Sequence, residues 1–207
     1  MTLQLLIGTQ NKGKLTEYRQ IFEGLDIDLL TLGDVGLGQM DVEETGTTFA
    51  ENAEIKAAAY AQASGMLALA DDSGLCVDAL DGRPGLYSAR YGGEDMPMTE
   101  KRLKLLGELE GVPEVERTAY FACDIAVYHP ERGSAYHAYG ECRGRIAEAV
   151  STGGGGFGYD PIFIPEGYTV TIADISTEEK HELSHRGRAA RAMRPVLERL
   201  TKGLDAN

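Results

Sequence analysis

The sequence predicts an α/β fold in which helices flank a mixed β-sheet. Short apolar or alternating segments typical of strands interleave with amphipathic segments typical of helices along the whole chain. No internal repeat and no long linker interrupts this alternation. A hydrophobic content of 43% over 207 residues is enough for a substantial core. We therefore expect residues 1–207 to form one domain without a linker.

The N-terminal third contains two predicted strands and two predicted helices. Residues 3–8 form a short apolar run and residues 26–32 form a second, and both patterns predict strands. Between them, apolar residues recur at helical spacing, namely Leu15, Tyr18 and Phe22. Thr48 followed by Glu51 is a capping-box pattern, which predicts a second helix that continues to Gly65.

A pair of aspartates interrupts the next strand pattern. Residues 67–70 form a buried-strand pattern, which we expect to end at Asp71 and Asp72. Strand character resumes at residues 75–80, so the sequence predicts that the two carboxylates lie at a strand end. Residues 82–93 are too rich in Gly and Pro for regular structure.

A third helix and a hairpin are predicted next. The apolar residues of this helix are Leu103, Leu106 and Leu109. Residues 118–129 alternate between apolar and polar side chains, and a turn at 130–134 leads to a partner strand near 135–141. This arrangement predicts an antiparallel hairpin.

The C-terminal part combines a glycine loop at 152–161, a predicted strand at 169–174 and helical segments. Ser176 and Glu179 can cap a short helical turn. A longer helix follows, whose apolar residues are Met193, Val196, Leu197 and Leu200. Pro195 is expected to kink or frame that helix.

The charge balance restricts the classes of partner. The chain carries 20 basic and 33 acidic residues, a formal net charge of −13. Because nucleic-acid binding depends on basic charge, DNA and RNA are not expected partners. A phosphorylated small molecule would require a local group of donors, cations and metal.

The cysteines and the N-terminus indicate a reducing, cytoplasmic location. The three cysteines are far apart and form no Cys-x-x-Cys pair. The first residues lack a basic start, and their apolar run is shorter than the core of a signal peptide. No uncharged apolar stretch is long enough to span a membrane, so no membrane association is expected.

The segment Gly8–Leu15 resembles a phosphate-binding loop. It follows the pattern G-x-x-x-x-G-K-[ST] except at Leu15, which replaces the hydroxyl residue that would bind Mg²⁺. Backbone N–H groups, Lys12 and Lys14 could still hold phosphates at a helix N-terminus, and a metal would then be bound elsewhere. The alternative is an ordinary turn between a strand and a helix.

Two acidic pairs are candidate Mg²⁺ ligands, Glu43-Glu44 and Asp71-Asp72. Asp72 is also the better candidate for a general base, because a metal and Lys56 could tune and orient its carboxylate. For the glutamates the alternative is a solvated surface turn. Lys56 could equally belong to an ordinary polar helix face.

Two C-terminal segments could recognise a base. After the glycines, an aromatic ring of the segment Phe157-Gly158-Tyr159-Asp160 could stack on a base while Asp160 accepts a hydrogen bond. The alternative is an aromatic core residue with a capping aspartate. Lys180, His185 and Arg186 supply cationic donors, although a solvated basic turn has the same composition.

Six motifs in this order closely resemble the inosine triphosphate pyrophosphatase family: TQNKGK, EETGTTFAENAEIKA, ADDSGL, PGLYSARY, GGFGYDPIF and SHRG. Together they cover almost the entire chain and are far more specific than any one of them. The resemblance implies an elongated fold with a long mixed sheet and two lobes around a central substrate cleft. It also implies a homodimer that uses Mg²⁺ to cleave nucleoside triphosphates between the α and β phosphates, with non-standard purines preferred.

The resemblance also implies residue roles. Asp72 matches the proton acceptor, Glu43 and Asp72 match the metal-binding carboxylates, and Lys56 and Asp71 match polar residues of the catalytic cleft. The positions that match substrate-binding residues are Thr9, Gln10, Asn11, Lys12, Gly13, Lys14, Ser73, Phe157, Gly158, Tyr159, Asp160, Lys180, His185 and Arg186.

Two other functions remain open from the sequence. The related Maf-type nucleotide pyrophosphatases share the fold and the chemistry, although their motifs fit this chain less well. A nucleotide-binding protein without turnover would need only the glycine loop and the lysines, but the pair Asp71-Asp72 argues against it.

Overall fold

The computed structural model describes residues 2–153 and 156–204, without the side chains of residues 177, 178 and 181. Its strands are β1 (Leu3–Ile7), β2 (Ile27–Thr31), β3 (Leu67–Val77), β4 (Thr118–His129), β5 (Ser134–Ile146) and β6 (Phe163–Pro165). Its α-helices are α1 (Lys12–Ile21), α2 (Phe49–Ser64), α3 (Met98–Glu108), α4 (Thr177–Leu183) and α5 (His185–Thr201).

Within these residues, the strands form one sheet in the order β2-β1-β3-β4-β5-β6. β1 pairs in parallel with both β2 and β3, whereas β5 and β6 are antiparallel. The prediction of an α/β fold with a mixed sheet is therefore confirmed.

The chain divides into two compact units. The first unit contains Met1–Asp72, Cys123–Gly140 and Arg186–Asn207, and the second contains Ser73–Ala122 and Glu141–His185. In the first unit, β1 and α5 contribute to a core that includes Leu5, Ile125, Met193 and Leu197. In the second unit, α3 and β6 contribute to a core that includes Leu75, Leu105, Ile146 and Phe163.

Local capping signals located the helix ends well. The side chain of Thr48 accepts a hydrogen bond from the backbone of Glu51, the reciprocal bond completes the capping box, and Gly65 ends α2 in the left-handed conformation. Ser176 and Glu179 form the second capping box at the start of α4. Pro195 lies inside α5, which continues on both sides of it. The two predicted capping boxes are thus confirmed.

Two strand predictions were wrong. β3 continues through Asp71 and Asp72 instead of ending there, because each carboxylate has polar partners on its own face of the sheet. Residues 169–174 form no strand: Ile172–Asp174 is a 3-10 turn in which the Thr171 hydroxyl donates to Asp174 Oδ2 at 2.5 Å. Such local side-chain bonds compete with strand pairing.

Other segments also differ from the sequence pattern. β6 was not predicted, and the glycine loop expected at 152–161 lies partly outside the described residues. In α3 the buried leucine is Leu105, whereas Leu103 is 61% exposed. No helix among the described residues is long and apolar enough to cross a membrane.

Replacement by alanine should change the stability of the chain in opposite directions at two glycines of the second unit. A Cβ at Gly144 in β5 would lie 2.2 Å from the backbone oxygen of Ile164, whereas a Cβ at Gly107 in α3 meets nothing within 4 Å. We expect Gly144→Ala to lower the free energy of unfolding by about 2 kcal/mol, because the strand backbone must shift. Gly107→Ala should raise it by roughly 0.5–1 kcal/mol through helix propensity. Urea titrations that shift both midpoints in the same direction would contradict this packing.

Candidate functional site

The candidate phosphate loop leads from β1 into α1. The Asn11 side chain caps α1 by accepting hydrogen bonds from the backbone N–H groups of Gly13 at 2.9 Å and Lys14 at 3.3 Å. The Thr9 hydroxyl accepts from the N–H of Asn11, and Gln10 donates to the carbonyl of Gly38. Because Asn11 already occupies these two N–H groups, a phosphate would be held by other donors of the loop, among them the ammonium groups of Lys12 and Lys14.

Asp71 connects this loop to the sheet. Its Oδ2 accepts from Lys14 Nζ at 2.8 Å and from Arg186 Nε at 3.2 Å, and the residue is only 3% exposed. Burial alone would raise the pKa of Asp71, but the charges of Lys14 and Arg186 outweigh it and hold that pKa well below its usual range. Asp71 is therefore a carboxylate near neutral pH.

Asp72 points to the opposite face of the sheet, because successive side chains of a strand alternate. Its Oδ2 accepts from Asn52 Nδ2 at 3.1 Å, and its Oδ1 lies 3.5 Å from Lys56 Nζ. Lys56 Nζ also donates to Glu44 Oε1 at 2.5 Å. Burial alone would lower the pKa of Lys56, but Asp72 and Glu44 raise it, so the side chain stays an ammonium.

Asn52 was not expected to bind the general-base candidate. It is 1% exposed and lies one helical turn before Lys56 on α2, so both side chains reach the same face. Its Oδ1 also accepts from the N–H of Gly46, which fixes the loop that carries Glu44. The spacing of four residues was the signal in the sequence for this contact.

The carboxylates of the first unit suit Mg²⁺. Asp72 and Glu44 share Lys56 and keep part of their side chains exposed, and the side chain of neighbouring Glu43 is exposed. Carboxylate oxygens are the donors that Mg²⁺ prefers, and this ion usually takes one or two of them together with water and substrate phosphates. Among the described residues, no cluster of three or more Asp, Glu, His or Cys could enclose a metal. Carboxylates of this kind suit Mg²⁺, and the rest of its coordination would come from water and substrate phosphates.

The aromatic segment after the glycines divides into a buried and an exposed part. Phe157 is 74% exposed, and its backbone N–H donates to Asp160 Oδ2 at 2.6 Å. The same oxygen accepts from Lys180 Nζ at 2.7 Å. Tyr159 is buried and donates its hydroxyl to the carbonyl of Ser88, so it serves the core of the second unit.

The remaining candidates are placed as follows. Gly158 has a φ of +60°, a conformation that favours glycine. Ser73 is half-buried next to Asp72 in β3. His185 begins α5 and stacks on Phe121, with ring centroids 4.9 Å apart. Arg186 was expected beside His185 and Lys180, but its guanidinium binds Asp71 and Glu17 of the first unit.

Comparison with known proteins adds relatives and related structures. The Ham1 family model matches residues 5–196. A dITP/XTP pyrophosphatase of Geobacter sulfurreducens is 50% identical over 90% of this chain and 92% of its own length. A second, from Desulforamulus reducens, is 46% identical over 96% of this chain and 97% of its own length.

A solved structure agrees with these matches. The Ham1 protein of Staphylococcus aureus is 38% identical and superimposes with a TM-score of 0.84 over 97% of this chain and 98% of its own. The family assignment that the six motifs predicted is confirmed, and the chain belongs to the Ham1 family.

Proposed function

We propose that this chain hydrolyses non-standard purine nucleoside triphosphates, namely ITP, dITP and XTP, to the monophosphate and pyrophosphate. The observation that carries the proposal is the carboxylate of Asp72, which is held by Asn52 and Lys56. The residue before it in β3, Asp71, binds Lys14 of the phosphate loop. Relatives named dITP/XTP pyrophosphatases support this substrate class.

The side chains of the first unit suit the attack of water on a phosphate. Asp72 can accept the proton of the attacking water, since hydrogen bonds from Asn52 and Lys56 fix its carboxylate. The ammonium groups of Lys14 and Lys56 can stabilise charge on phosphate oxygens. Mg²⁺ held by Asp72 and Glu43 would neutralise the triphosphate and help pyrophosphate to leave. No covalent intermediate is required.

The second unit supplies candidates for recognition of the base. Phe157 offers an exposed ring for stacking, and Lys180 and His185 can donate to the oxygen at position 6 of hypoxanthine or xanthine. Adenine presents an amino donor at this position, so neither side chain could donate a hydrogen bond to it. The base-side role that the resemblance implies for Arg186 stays a prediction.

We expect ITP and XTP to exceed ATP in kcat/KM by about 10- to 100-fold, because a hydrogen bond from a charged donor to the 6-oxygen contributes roughly 1.5–3 kcal/mol and is not formed with adenine. The measurement is pyrophosphate release with each nucleotide. Lys180→Met should reduce the ratio of ITP to ATP, whereas Lys104→Met should preserve it. Lys104 pairs with Glu108 on α3 and serves as the matched control. Equal kcat/KM values for ITP and ATP in the unaltered chain contradict the recognition mechanism.

A homodimer, which rests on the resemblance, and a cytoplasmic location, which rests on the dispersed cysteines, are parts of this proposal. Light scattering of the purified chain distinguishes a dimer from a monomer. A monomer mass at micromolar concentration contradicts the dimer.

A further inference from the structure

An ion-pair chain in the first unit begins and ends on α1. We use this name for Lys14, Asp71, Arg186 and Glu17, which follow one another in contact. Lys14 Nζ lies 2.8 Å from Asp71 Oδ2, Arg186 Nε lies 3.2 Å from the same oxygen, and Arg186 Nη1 lies 3.2 Å from Glu17 Oε2. Glu17 lies three residues after Lys14 on α1, so both side chains share a helix face.

Asp71 at the centre of the ion-pair chain is buried, and the other three side chains are partly exposed, Lys14 the most. The side chains of Asp71, Glu17 and Arg186 are 2%, 12% and 15% exposed, whereas that of Lys14 is 21% exposed. Cys123 Sγ lies 3.9 Å from Asp71 Oδ2, and the Tyr18 side chain nearby is fully buried. Two positive and two negative charges balance within the ion-pair chain, and its most exposed member is Lys14 of the phosphate loop.

We propose that Glu17 and Arg186 are positioning residues that act through Asp71 to hold the Lys14 ammonium ready for a phosphate. This inference rests on the proposed function, because it assigns the substrate's phosphates to Lys14. It adds Glu17 to the site and gives Arg186 a role at the phosphates, through Asp71.

The physical reason is the flexibility of lysine. An ammonium on a four-carbon stem loses conformational freedom when it binds a phosphate, and pre-ordering by Asp71 removes part of that cost. Of the three N–H donors on the ammonium of Lys14, one donates a hydrogen bond to Asp71. Because Arg186 shares the same Asp71 oxygen, that carboxylate neutralises Lys14 only in part.

Glu17 keeps Arg186 in place. A guanidinium buried among these groups needs compensating carboxylates, and loss of one leaves positive charge that is costly in the interior. Without Glu17, Arg186 would lose one of its carboxylate ion pairs and would draw Asp71 away from Lys14. Lys14 would then lose its fixed position.

The first test is Glu17→Gln. We expect KM for ITP to rise about tenfold with kcat changed less than about threefold, the size of one charge-assisted hydrogen bond. Glu17→Asp keeps the charge and should raise KM less than Glu17→Gln does. It also replaces Glu17→Gln as the test if the glutamine variant does not fold. Glu23→Gln, an exposed glutamate beyond the end of α1, is the matched control and should keep the parent KM.

Two further measurements separate positioning from other roles. In a Lys14→Met background, Glu17→Gln should raise KM no further, because its effect passes through Lys14. Arg186→Lys should raise KM for ITP and ATP by the same factor, whereas a base-reading arginine would lower the ratio of ITP to ATP. Additive effects of Glu17→Gln and Lys14→Met, or a lowered ratio, overturn the inference.

Failure of the proposed function has a different outcome. Titration calorimetry with inorganic tripolyphosphate measures phosphate binding without hydrolysis, and Glu17→Gln should weaken it about tenfold. A parent chain that hydrolyses no ITP overturns the proposed function alone. A parent chain that hydrolyses ITP while Glu17→Gln binds tripolyphosphate as tightly as the parent overturns the positioning role alone.

Discussion

Replacement of Asp72 by Asn is expected to lower kcat for ITP at least about 1,000-fold, because general-base catalysis contributes roughly 100- to 10,000-fold and a metal-binding charge is lost as well. Asn has the shape of Asp but cannot accept the proton of the attacking water. In the variant the ammonium of Lys56 loses the charge of Asp72 but still pairs with the carboxylate of Glu44. The fold should therefore persist.

Steady-state kinetics and circular dichroism of the same preparation check this expectation. Asp28→Asn is the matched control, since Asp28 is exposed on β2 in the same unit. It should leave kcat unchanged. A folded Asp72→Asn variant with near-normal kcat would exclude Asp72 as the general base.

Removal of divalent metal by excess chelator is expected to lower turnover by at least about 1,000-fold, since metal neutralisation of a transferring phosphate is worth several kcal/mol. Leu15 stands where a phosphate loop would place its metal-binding hydroxyl, which leaves the carboxylates as ligands. Lys14 and Lys56 alone cannot replace the metal, because Asp71, Asp72 and Glu44 already neutralise part of their charge.

The chelated enzyme should regain activity when Mg²⁺ is restored. The variants Glu43→Gln and Glu44→Gln then distinguish a metal ligand from a residue that only binds Lys56. Loss of a ligand raises the Mg²⁺ concentration needed for half of the maximal rate. We expect that rise for Glu43→Gln and a lower kcat for Glu44→Gln. Undiminished turnover in excess chelator contradicts the metal requirement.

Helices were easier to predict than the ends of strands. Each capping box lies within four consecutive residues, so the sequence alone contains the complete signal for the start of the helix. The strand that contains Asp71 and Asp72 was predicted to end there because charged residues normally avoid a buried strand. Their partners lie on other elements, and no local pattern reveals them.

The candidate site was predicted as a set of residues but not as an arrangement. The motifs named Lys14, Asp71 and Arg186 separately, and the resemblance assigned the arginine to the base. Asn52 and Glu17 received no role. The structure joins Asp71 to Lys14 across 57 positions and to Arg186 across 115 positions of the chain.

The sequence by itself determined the family, the α/β class and the capped ends of α2 and α4, because these depend on local patterns and on ordered motifs. Only the tertiary structure decided which residues meet. Strand alternation sends Asp71 towards α1 and α5 and Asp72 towards α2, so two adjacent carboxylates acquire different partners. The physical reason is that side-chain pairing between distant segments depends on how strands and helices pack, which residue spacing along the chain does not encode.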